Sequence, residues 1–568
     1  MLDKILEPLG YTNKRFAYYS PVLRRVDKLT PRQHNDADLC AYATLDEWTD
    51  AIGQENIEIQ DKLLIREEVN NEFIVTDVNW KALRGELMKR CRILGKYRED
   101  TERGRGLWPD DDGTLVFNTG SELYRFDQDG NKTGPFELHQ IANDSYRYVA
   151  TTPTALPPAD EPASSIEGQD LFNSISIFEW SNPSLDPILV TGWIVGSTIL
   201  NLLDYRPHVA IKAPRGAGKS ALVANVVKLF NGPSNCFRVE MDLSTEPGIR
   251  QTVAADALPL ICDEFETNTP TTERVFPLLR TASNPNGGGI LKGSPEGKAQ
   301  EFFFRTMALV AGIKISFPTP GDATRFAVVA LNQRKHTEEQ RQALGASFKA
   351  LPFDLLPRVQ KRMILSRFLF AGTLQAFRVA ISERFNDDRM ADLYGNILSA
   401  YWIACYEAEP TDDEVMKIVA LLPQSRDDDQ DATDCWNYLL SYKLPYPIDM
   451  TVYEALDLIS SANSDDLEVT KAERGLQAIG VKYHQNTKNI LIANKHSALA
   501  KLFETTPWKR NGHTDSLKEL GAGNHDNKVV NFGGVRTKVS TFPISALNDG
   551  VTEGQAVGAG ELGTEADG

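Results

Sequence analysis

Residues 206–230, RPHVAIKAPRGAGKSALVANVVKLF, constrain the fold of this chain more than any other stretch. Residues 208–213 are a short, apolar, β-branched run that predicts a buried strand, and ALVANVVKLF has the apolar spacing of a helix. Between them lies the glycine-rich sequence APRGAGKS. A strand, a glycine-rich turn and a helix in this order predict a phosphate site, because backbone N–H groups and the amino end of the helix point at one anion.

This P-loop pattern predicts a protein that binds ATP and Mg²⁺. Lys219 would reach the β- and γ-phosphates, and Ser220 would give its hydroxyl to the metal. Ala213 stands where the pattern usually has a first glycine. The alternative, a lysine-bearing surface turn, is disfavoured because both flanking elements are correct. The predicted nucleotide-binding residues are Ala213, Pro214, Arg215, Gly216, Ala217, Gly218, Lys219, Ser220 and Ala221.

A second strand carries the expected carboxylates. Residues 257–264, ALPLICDE, are an apolar run that ends in Asp263 and Glu264. This is the Walker B form, and Asp263 follows Lys219 by 44 residues (263 − 219), a spacing that suits a compact ATPase. We predict that Asp263 lies beside Mg²⁺, directly or through water, and that Glu264 polarises the attacking water.

The next stretch predicts a contact with DNA. Residues 281–305 contain a glycine cluster, the turn sequence GSPEG and an apolar return strand, with Lys292 and Lys298 on either side of the turn. We predict a β-hairpin between the Walker B strand and the next core strand, with both lysines gripping the phosphates of single-stranded DNA. A solvated hairpin without a DNA contact is the open alternative.

Two arginines are candidates for completing the nucleotide site of a neighbouring subunit. Arg325, just before the strand FAVVAL, is the first choice, and Arg280, at the end of the helix VFPLLR, is the second. An arginine supplied in this way stabilises charge in the transition state of phosphoryl transfer. Either arginine can instead form an ordinary structural ion pair. Ser316, near the end of the strand MALVAGIKIS, is the nearest candidate for sensing the γ-phosphate.

The order of these motifs resembles the helicase part of phage and prophage primase-helicases, which are similar to superfamily III and poxvirus-type AAA+ helicases. Residues 104–123 and the C-terminal TPWKRNGH and NFGGVRTKVSTFPI resemble the flanking regions of those proteins, so the resemblance covers most of the chain beyond residue 70. The matching residues are YRPH at 205–208, the P-loop, STExGIR at 244–250, DALPxxxDE at 256–264, Lys292 with Lys298, and DATR at 322–325.

This resemblance implies a homohexameric ring that hydrolyses ATP, translocates on single-stranded DNA and opens forked DNA in phage-type replication. A separate primase or polymerase is an implied partner. Families of this kind often carry zinc-binding and primase domains upstream, and no such region occurs in this sequence, so priming is not implied. An AAA+ replication initiator or helicase loader, which uses ATP as an assembly switch without unwinding, remains the alternative. A DNA-packaging or remodelling motor is a third reading.

The predicted fold class is α/β. It consists of a P-loop AAA+ ATPase core, an α/β N-terminal region, a helical bundle and a C-terminal winged-helix-like module. Within the N-terminal region, residues 1–70 are expected to be rich in helix and to serve as a collar or a docking site for a primase. The expected boundaries are 1–150 for the N-terminal region, 151–165 for a linker, 166–345 for the core, 346–460 for a helical lid or spacer, 461–545 for the winged-helix-like module and 546–568 for a disordered acidic tail.

Composition narrows the partners and the compartment. A net charge of −17 confines DNA contacts to local basic surfaces, such as residues 80–105 and 461–544. The six cysteines are scattered without a CxxC pair, which predicts neither disulfides nor a zinc site and fits a reducing cytoplasm, that of the host for a phage protein. The N-terminus lacks a signal-peptide pattern, and the longest apolar run is broken by polar residues, so no membrane partner is expected.

Overall fold

The chain forms two compact units, Met1–Leu422 and Pro423–Gly568, in this computed structural model. The boundary falls within the segment 346–460 that the sequence pattern suggests is one helical region. The structure describes residues 2–12, 14–69, 72–98, 101–141, 146–266, 269–285, 290–293, 299–313, 315, 317–333, 345–423, 427–445, 447–461, 467–504, 506, 508, 512–519, 529–545 and 547.

The beginning of the chain contains a β-sheet, so the prediction that residues 1–70 are mainly helical is wrong there. Three antiparallel strands lie in the order Glu7–Thr12, Arg15–Ser20 and Arg25–Leu29. Phe16 and Tyr18 are two residues apart, so they share one face of the sheet and pack into the core. The elements that follow are the helices Asp36–Leu39, Leu45–Gly53, Ile57–Leu63 and Trp80–Leu94, and the paired strands Leu64–Val69 and Glu72–Val78.

A second antiparallel sheet follows, and the sequences DDDG and DQDG lie in the turns of two of its hairpins. Arg105, proposed from the sequence as part of a basic DNA surface, is buried and forms an ion pair with Asp256 at 2.7 Å. Arg103 is buried as well, and its guanidinium donates to Tyr148 Oη. Both side chains are therefore used inside the protein. The strand order is Lys132–Glu137, Glu122–Phe126, Leu115–Asn118 and Gly106–Pro109, and a separate parallel pair joins Glu102–Arg103 to Arg147–Tyr148.

The centre of the first unit is a five-stranded parallel sheet, which gives this unit an α/β P-loop fold. We call His208–Lys212 the P-loop strand and Leu260–Asp263 the Walker B strand. Because the strands are parallel, their carboxyl ends share one edge, here the carboxyl edge, and their amino ends share the opposite amino edge. The order across the sheet is Phe237–Glu240, Leu260–Asp263, Ala308–Gly312, His208–Lys212 and Phe326–Ala330.

Helices connect and cover this sheet. One of them, Glu246–Val253, is capped by Thr245, whose side chain accepts from Gly248 N–H. The helices around the sheet are Lys219–Leu229, Glu246–Val253, Pro270–Ala282 and Pro320–Ala323, with 3₁₀ turns at Gly232–Ser234 and Met241–Leu243.

A helical layer packs against the core in the same unit. Gly192 allows two of its helices to approach closely, since a Cβ at this position would lie 2.1 Å from Ile397 O. Residues 151–165, predicted as a linker, run along this layer, where Ala159 N–H donates to Pro357 O. The helices are Ser165–Ser176, Asp186–Ser197, Leu355–Leu365, Arg367–Phe385, Asp388–Cys405 and Asp412–Val419, and residues 345–350 are also helical.

Length and apolar character decide whether a helix among the described residues could span a bilayer. Within that part of the chain, no single helix has the length and apolar character needed to cross a bilayer. One pair, Leu355–Leu365 with Arg367–Phe385, meets the length and composition thresholds jointly, but its two helices are bent by 80°.

The second unit has its own core, which includes Trp436, Leu476 and Phe542. A helix, a hairpin, two helices and a second hairpin follow one another from residue 467, a winged-helix-like arrangement. The strand Val481–His484 was not predicted. The sheet order is Val481–His484, Asn489–Ala493, Val535–Pro543 and Val529–Phe532, and the helices are Asp427–Ser441, Val452–Ser461, Leu467–Ile479, Ser497–Leu502 and Gly512–Glu519.

Candidate nucleotide and DNA site

The P-loop leaves the carboxyl edge as an open turn. Gly216 and Gly218 have φ values of +82° and +92°, which glycine adopts more readily than other residues. A Cβ on Gly216 would meet no atom within 4 Å, so the backbone angle rather than space requires glycine there. The helix Lys219–Leu229 then begins without a side-chain cap. Its first N–H groups and its positive dipole end are therefore available to an anion.

Lys219 contacts both Walker B carboxylates. Its Nζ lies 3.0 Å from Asp263 Oδ1 and 2.8 Å from Glu264 Oε1. These are charge contacts, because their angles are not those of aligned hydrogen bonds. Burial lowers the pKa of Lys219, but the contacts with Glu264 and Asp263 outweigh burial and raise that pKa above its ordinary value. One cation thus holds both acids.

Glu264 has a strained backbone. Its φ of +49° is unusual for a residue other than glycine, and its N–H donates to Asp263 Oδ1 at 2.9 Å. The chain therefore turns sharply at the end of the Walker B strand. As a result the Asp263 side chain is only 5% exposed, whereas the Glu264 side chain is 44% exposed. The two neighbouring acids have different surroundings, one packed beneath the P-loop and one accessible to water.

These residues fit ATP and Mg²⁺. The uncapped helix end and Lys219 offer donors and a positive charge to phosphates, and Ser220 is exposed beside Lys219. In the described part of the chain, no group of three or more His, Cys, Asp or Glu side chains is arranged to hold a metal ion. Mg²⁺ that binds with a nucleotide commonly takes one or two protein ligands besides phosphate and water oxygens, and Ser220 and Asp263 would be those ligands here.

Three residues beside the site were not predicted. Gly312 ends the strand next to the P-loop strand, and a Cβ there would lie 2.3 Å from Phe265 O. Glu266 Oε1 accepts from Ile313 N–H at 2.9 Å. Arg238 Nη2 lies 4.0 Å from Asp263 Oδ2, because its strand pairs in register with the Walker B strand. A glycine after an apolar run was the available sequence signal for Gly312, and the other two contacts depend on strand order.

A buried histidine starts the P-loop strand. Nε2 of His208 lies 2.8 Å from Leu279 O, and Nδ1 accepts from Ala308 N–H at 3.0 Å. Since a carbonyl can only accept, Nε2 carries the hydrogen and the ring is neutral. Burial lowers the pKa of His208 to about 4. The neutral ring ties the P-loop strand to the neighbouring strand and to the helix Pro270–Ala282.

Arg325 and Arg280 lie at the amino edge, opposite the P-loop. Arg325 O accepts from His208 N–H at 3.0 Å, and Leu279, next to Arg280, contacts the same histidine. The P-loop begins at the other end of the strand that His208 starts, so about 15 Å of extended chain separates the two edges. Neither arginine therefore lies beside the P-loop of its own subunit.

The two arginines have different partners. Arg280 donates to Asp322 Oδ1 from Nε at 2.9 Å and from Nη2 at 2.7 Å, the structural ion pair left open above. Arg325 Nη1 donates to Gly321 O, and its buried Nε has no hydrogen-bond partner among the described residues. Burial lowers the pKa of Arg325, although its interaction with Tyr205 opposes this shift. Among the described residues, Arg325 thus lacks the close carboxylate ion pair that Arg280 forms with Asp322.

The hairpin predicted after the Walker B strand is confirmed. Ile290–Gly293 pairs antiparallel with Ala299–Phe302, and Lys292 lies opposite Gln300. Lys298 lies outside the described residues, as does Ser316. The roles of Lys292 and Lys298 in DNA binding and of Ser316 in sensing stay predictions.

Comparisons with known proteins give the following. No protein-family model and no curated protein matches the chain. Among solved structures, it is similar to an active helicase, Cch of SCCmec type IV, with 10% identity and a TM-score of 0.49 over 95% of this chain and 94% of that one. It is also similar to the apo A form of the NrS-1 C-terminal region, with 11% identity and a TM-score of 0.30 over 95% of this chain and 97% of that one. It is also similar to a full-length MCM homolog from Methanopyrus kandleri, with 12% identity and a TM-score of 0.26 over 60% of this chain and 85% of that one.

Proposed function

We propose that this protein is an ATP-driven DNA helicase of the AAA+ type, whose ATP sites are each completed by a neighbouring subunit. The observation that carries this proposal is the separation of the site's parts. Lys219, Asp263 and Glu264 are at the carboxyl edge, and the donor-bearing Arg325 is at the amino edge. Subunits stacked head to tail bring such edges together, and a head-to-tail interface closes into a ring when its rotation permits.

The ATPase chemistry follows from the residues at the carboxyl edge. Phosphates arriving on the P-loop would take over the contacts of Lys219 and release Glu264 to face water. Glu264 then orients the water that attacks the γ-phosphorus and accepts its proton, and ADP and phosphate leave. Bound Mg²⁺ would neutralise phosphate charge beside Ser220 and Asp263. Arg325 of the next subunit stabilises the charge that builds up on the transferred group.

The DNA-contacting element in this proposal is the hairpin formed by Ile290–Gly293 and Ala299–Phe302. In a ring it would face the central channel, where Lys292 and Lys298 contact the phosphates of one strand. A hexamer acting on forked DNA in phage-type replication, with a separate primase or polymerase, is the assembly and the context that we propose.

The test measures ATP hydrolysis with and without single-stranded DNA, together with opening of a forked duplex. We expect DNA to stimulate hydrolysis and forks to open with the wild type. Lys219→Ala should lose both activities, and Lys292→Ala/Lys298→Ala should hydrolyse ATP without opening forks. Lys228→Ala is the matched control, because Lys228 is an exposed lysine at the other end of the same helix. If DNA does not change the rate of hydrolysis and the wild type opens no forks, the helicase proposal is refuted. The initiator or loader would then be the function that fits.

A further inference from the structure

The segment STEPGIR at 244–250 has no part in the ATP chemistry above. It leads into the helix Glu246–Val253, which lies between the strand Phe237–Glu240 and the Walker B strand in the chain. The helix therefore starts close to the carboxyl edge, where Phe237–Glu240 ends, and returns the chain to the amino edge, where the Walker B strand begins. It spans the sheet from the ATP site to the opposite edge.

At its start, this helix is tied to both segments that hold the Walker B acids. Glu240 pairs in register with Asp263. Ser244 Oγ donates to Glu240 O at 2.7 Å, and Ser244 O accepts from Thr271 Oγ1 at 3.1 Å. Thr271 belongs to the helix Pro270–Ala282, which follows the Walker B acids. Two hydrogen bonds of Ser244, just before the helix Glu246–Val253, therefore connect this helix to the elements on both sides of the Walker B acids.

One turn further along, the same helix reaches the DNA hairpin. Arg250 Nε donates to Glu246 Oε1 at 3.2 Å, and the guanidinium carbon lies 3.8 Å from the centre of the Phe302 ring. Phe302 is at the base of the hairpin, opposite Ile290. Glu246 and Arg250 are 6% and 8% exposed. A cation over an aromatic ring is favoured more strongly when it is screened from water, and here the Arg250 cation is buried while Phe302 is half-buried.

One guanidinium donor of Arg250, the buried Nη1, has no hydrogen-bond partner among the described residues. Leaving a buried donor unpaired is costly. The guanidinium is thus oriented by the Phe302 ring and by Glu246, with one donor left over.

We propose that Arg250 is a positioning residue that couples the ATP site to the DNA hairpin. Rearrangement of Asp263 and Glu264 on nucleotide binding moves the helix Glu246–Val253, and Arg250 transmits the movement to Phe302. This inference rests on the proposed function, because it takes the hairpin to be the element that moves DNA. The contacts of Arg250 within the described residues are with Glu246 and Phe302 and not with the P-loop or the Walker B acids, so basal hydrolysis should continue without it.

The experiment uses full-length wild type, Arg250→Lys, Phe302→Leu and Phe302→Tyr. Lysine keeps the charge beside Glu246 but loses the planar stack, and tyrosine keeps the ring. Arg274→Lys is the matched control, because Arg274 is an exposed helical arginine in the same core. Three quantities are measured: hydrogen exchange of the hairpin with and without the imido analogue of ATP, basal ATP hydrolysis, and ATP consumed per base pair opened.

In the wild type, Arg274→Lys and Phe302→Tyr, the analogue should change exchange in the hairpin. In Arg250→Lys and Phe302→Leu, that response should vanish while basal hydrolysis is retained. The ATP consumed per base pair should rise about tenfold, because loss of the cation–π contact lowers the population of the coupled arrangement by about that factor. The double variant Arg250→Lys/Phe302→Leu should consume no more ATP per base pair than either single variant, because the same contact is lost in all three.

Two results would overturn the inference: an unchanged exchange response in Arg250→Lys, or a parallel loss of basal hydrolysis that marks a structural role. Fork opening by the wild type decides the helicase proposal separately. A wild type that opens no fork but shows the exchange response in an Arg250-dependent way refutes the helicase and keeps the coupling.

Discussion

The position of Arg325 makes a prediction about mixed assemblies. Lys219→Ala subunits lack ATP binding but keep Arg325 at the amino edge. Arg325→Ala subunits bind ATP but cannot stabilise the transition state of a neighbour. Each variant alone should be nearly inactive, since a finger arginine contributes about 10³–10⁵ in kcat. When the two variants are mixed, the intact Arg325 of a Lys219→Ala subunit can act at the ATP site of a neighbouring Arg325→Ala subunit.

The size of the recovery follows from the geometry. The two edges of the sheet are about 15 Å apart, so an arginine at the amino edge cannot serve its own P-loop. In a random equal mixture, about a quarter of the head-to-tail interfaces pair an intact P-loop with an intact Arg325. We therefore expect about a quarter of the wild-type rate of ATP hydrolysis from the mixture, provided that the interfaces act independently.

The assay mixes the two variants under conditions in which subunits exchange, then measures steady-state ATP hydrolysis against the mixing ratio. The rate should pass through a maximum at equal amounts. Mixtures of Lys219→Ala with Lys219→Ala/Arg325→Ala are the control and should stay inactive. If co-assembly is demonstrated and the mixture is no faster than its components, Arg325 does not act between subunits and the proposed arrangement is refuted.

Three further predictions concern single sites. Glu264→Asn should be more stable than Glu264→Gln by about 1 kcal/mol in thermal unfolding, because asparagine tolerates a positive φ better. Both variants should lose ATP hydrolysis. Equal stabilities would contradict the backbone strain at this residue. The lowered pKa of His208 means that the unfolded state binds the proton first as the pH falls below 6.5, so stability should decrease by about 3 kcal/mol on approaching pH 4. Urea unfolding should show this loss in the wild type and not in His208→Gln. Arg105→Met leaves Asp256 buried without its cation and should lower the free energy of unfolding by about 3–5 kcal/mol. In thermal unfolding, Arg105→Met/Asp256→Asn should recover more than half of this loss. A double variant as unstable as the single one would mean that the cost comes from lost packing.

The local parts of this molecule could be predicted from the order of its residues. The P-loop strand, the turn with Gly216 and Gly218, and the helix after it are contiguous in the chain, so their geometry follows from glycine conformation and apolar periodicity. The same holds for the Walker B strand and for the hairpin that contains Lys292, because a turn sequence lies between two extended runs. In the first thirty residues, the scattered aromatics concealed a period of two, so a region that was expected to be rich in helix contains three strands.

Only the tertiary structure decided which side chains meet. The sequence indicated that Arg105 belongs to a basic surface and that Arg280 is a candidate arginine finger. In the structure, Asp256 pairs with Arg105 and Asp322 pairs with Arg280, each from a distant position in the chain. Arg325 Nε has no hydrogen-bond partner among the described residues, and the parallel strand order places Arg325 at the edge opposite the P-loop. The strain at Glu264 and the contact of Arg250 with Phe302 also arise from packing between elements. Local patterns report backbone preferences and burial, whereas the partner of a charge depends on which strands become neighbours, and that is determined when the whole sheet closes its core.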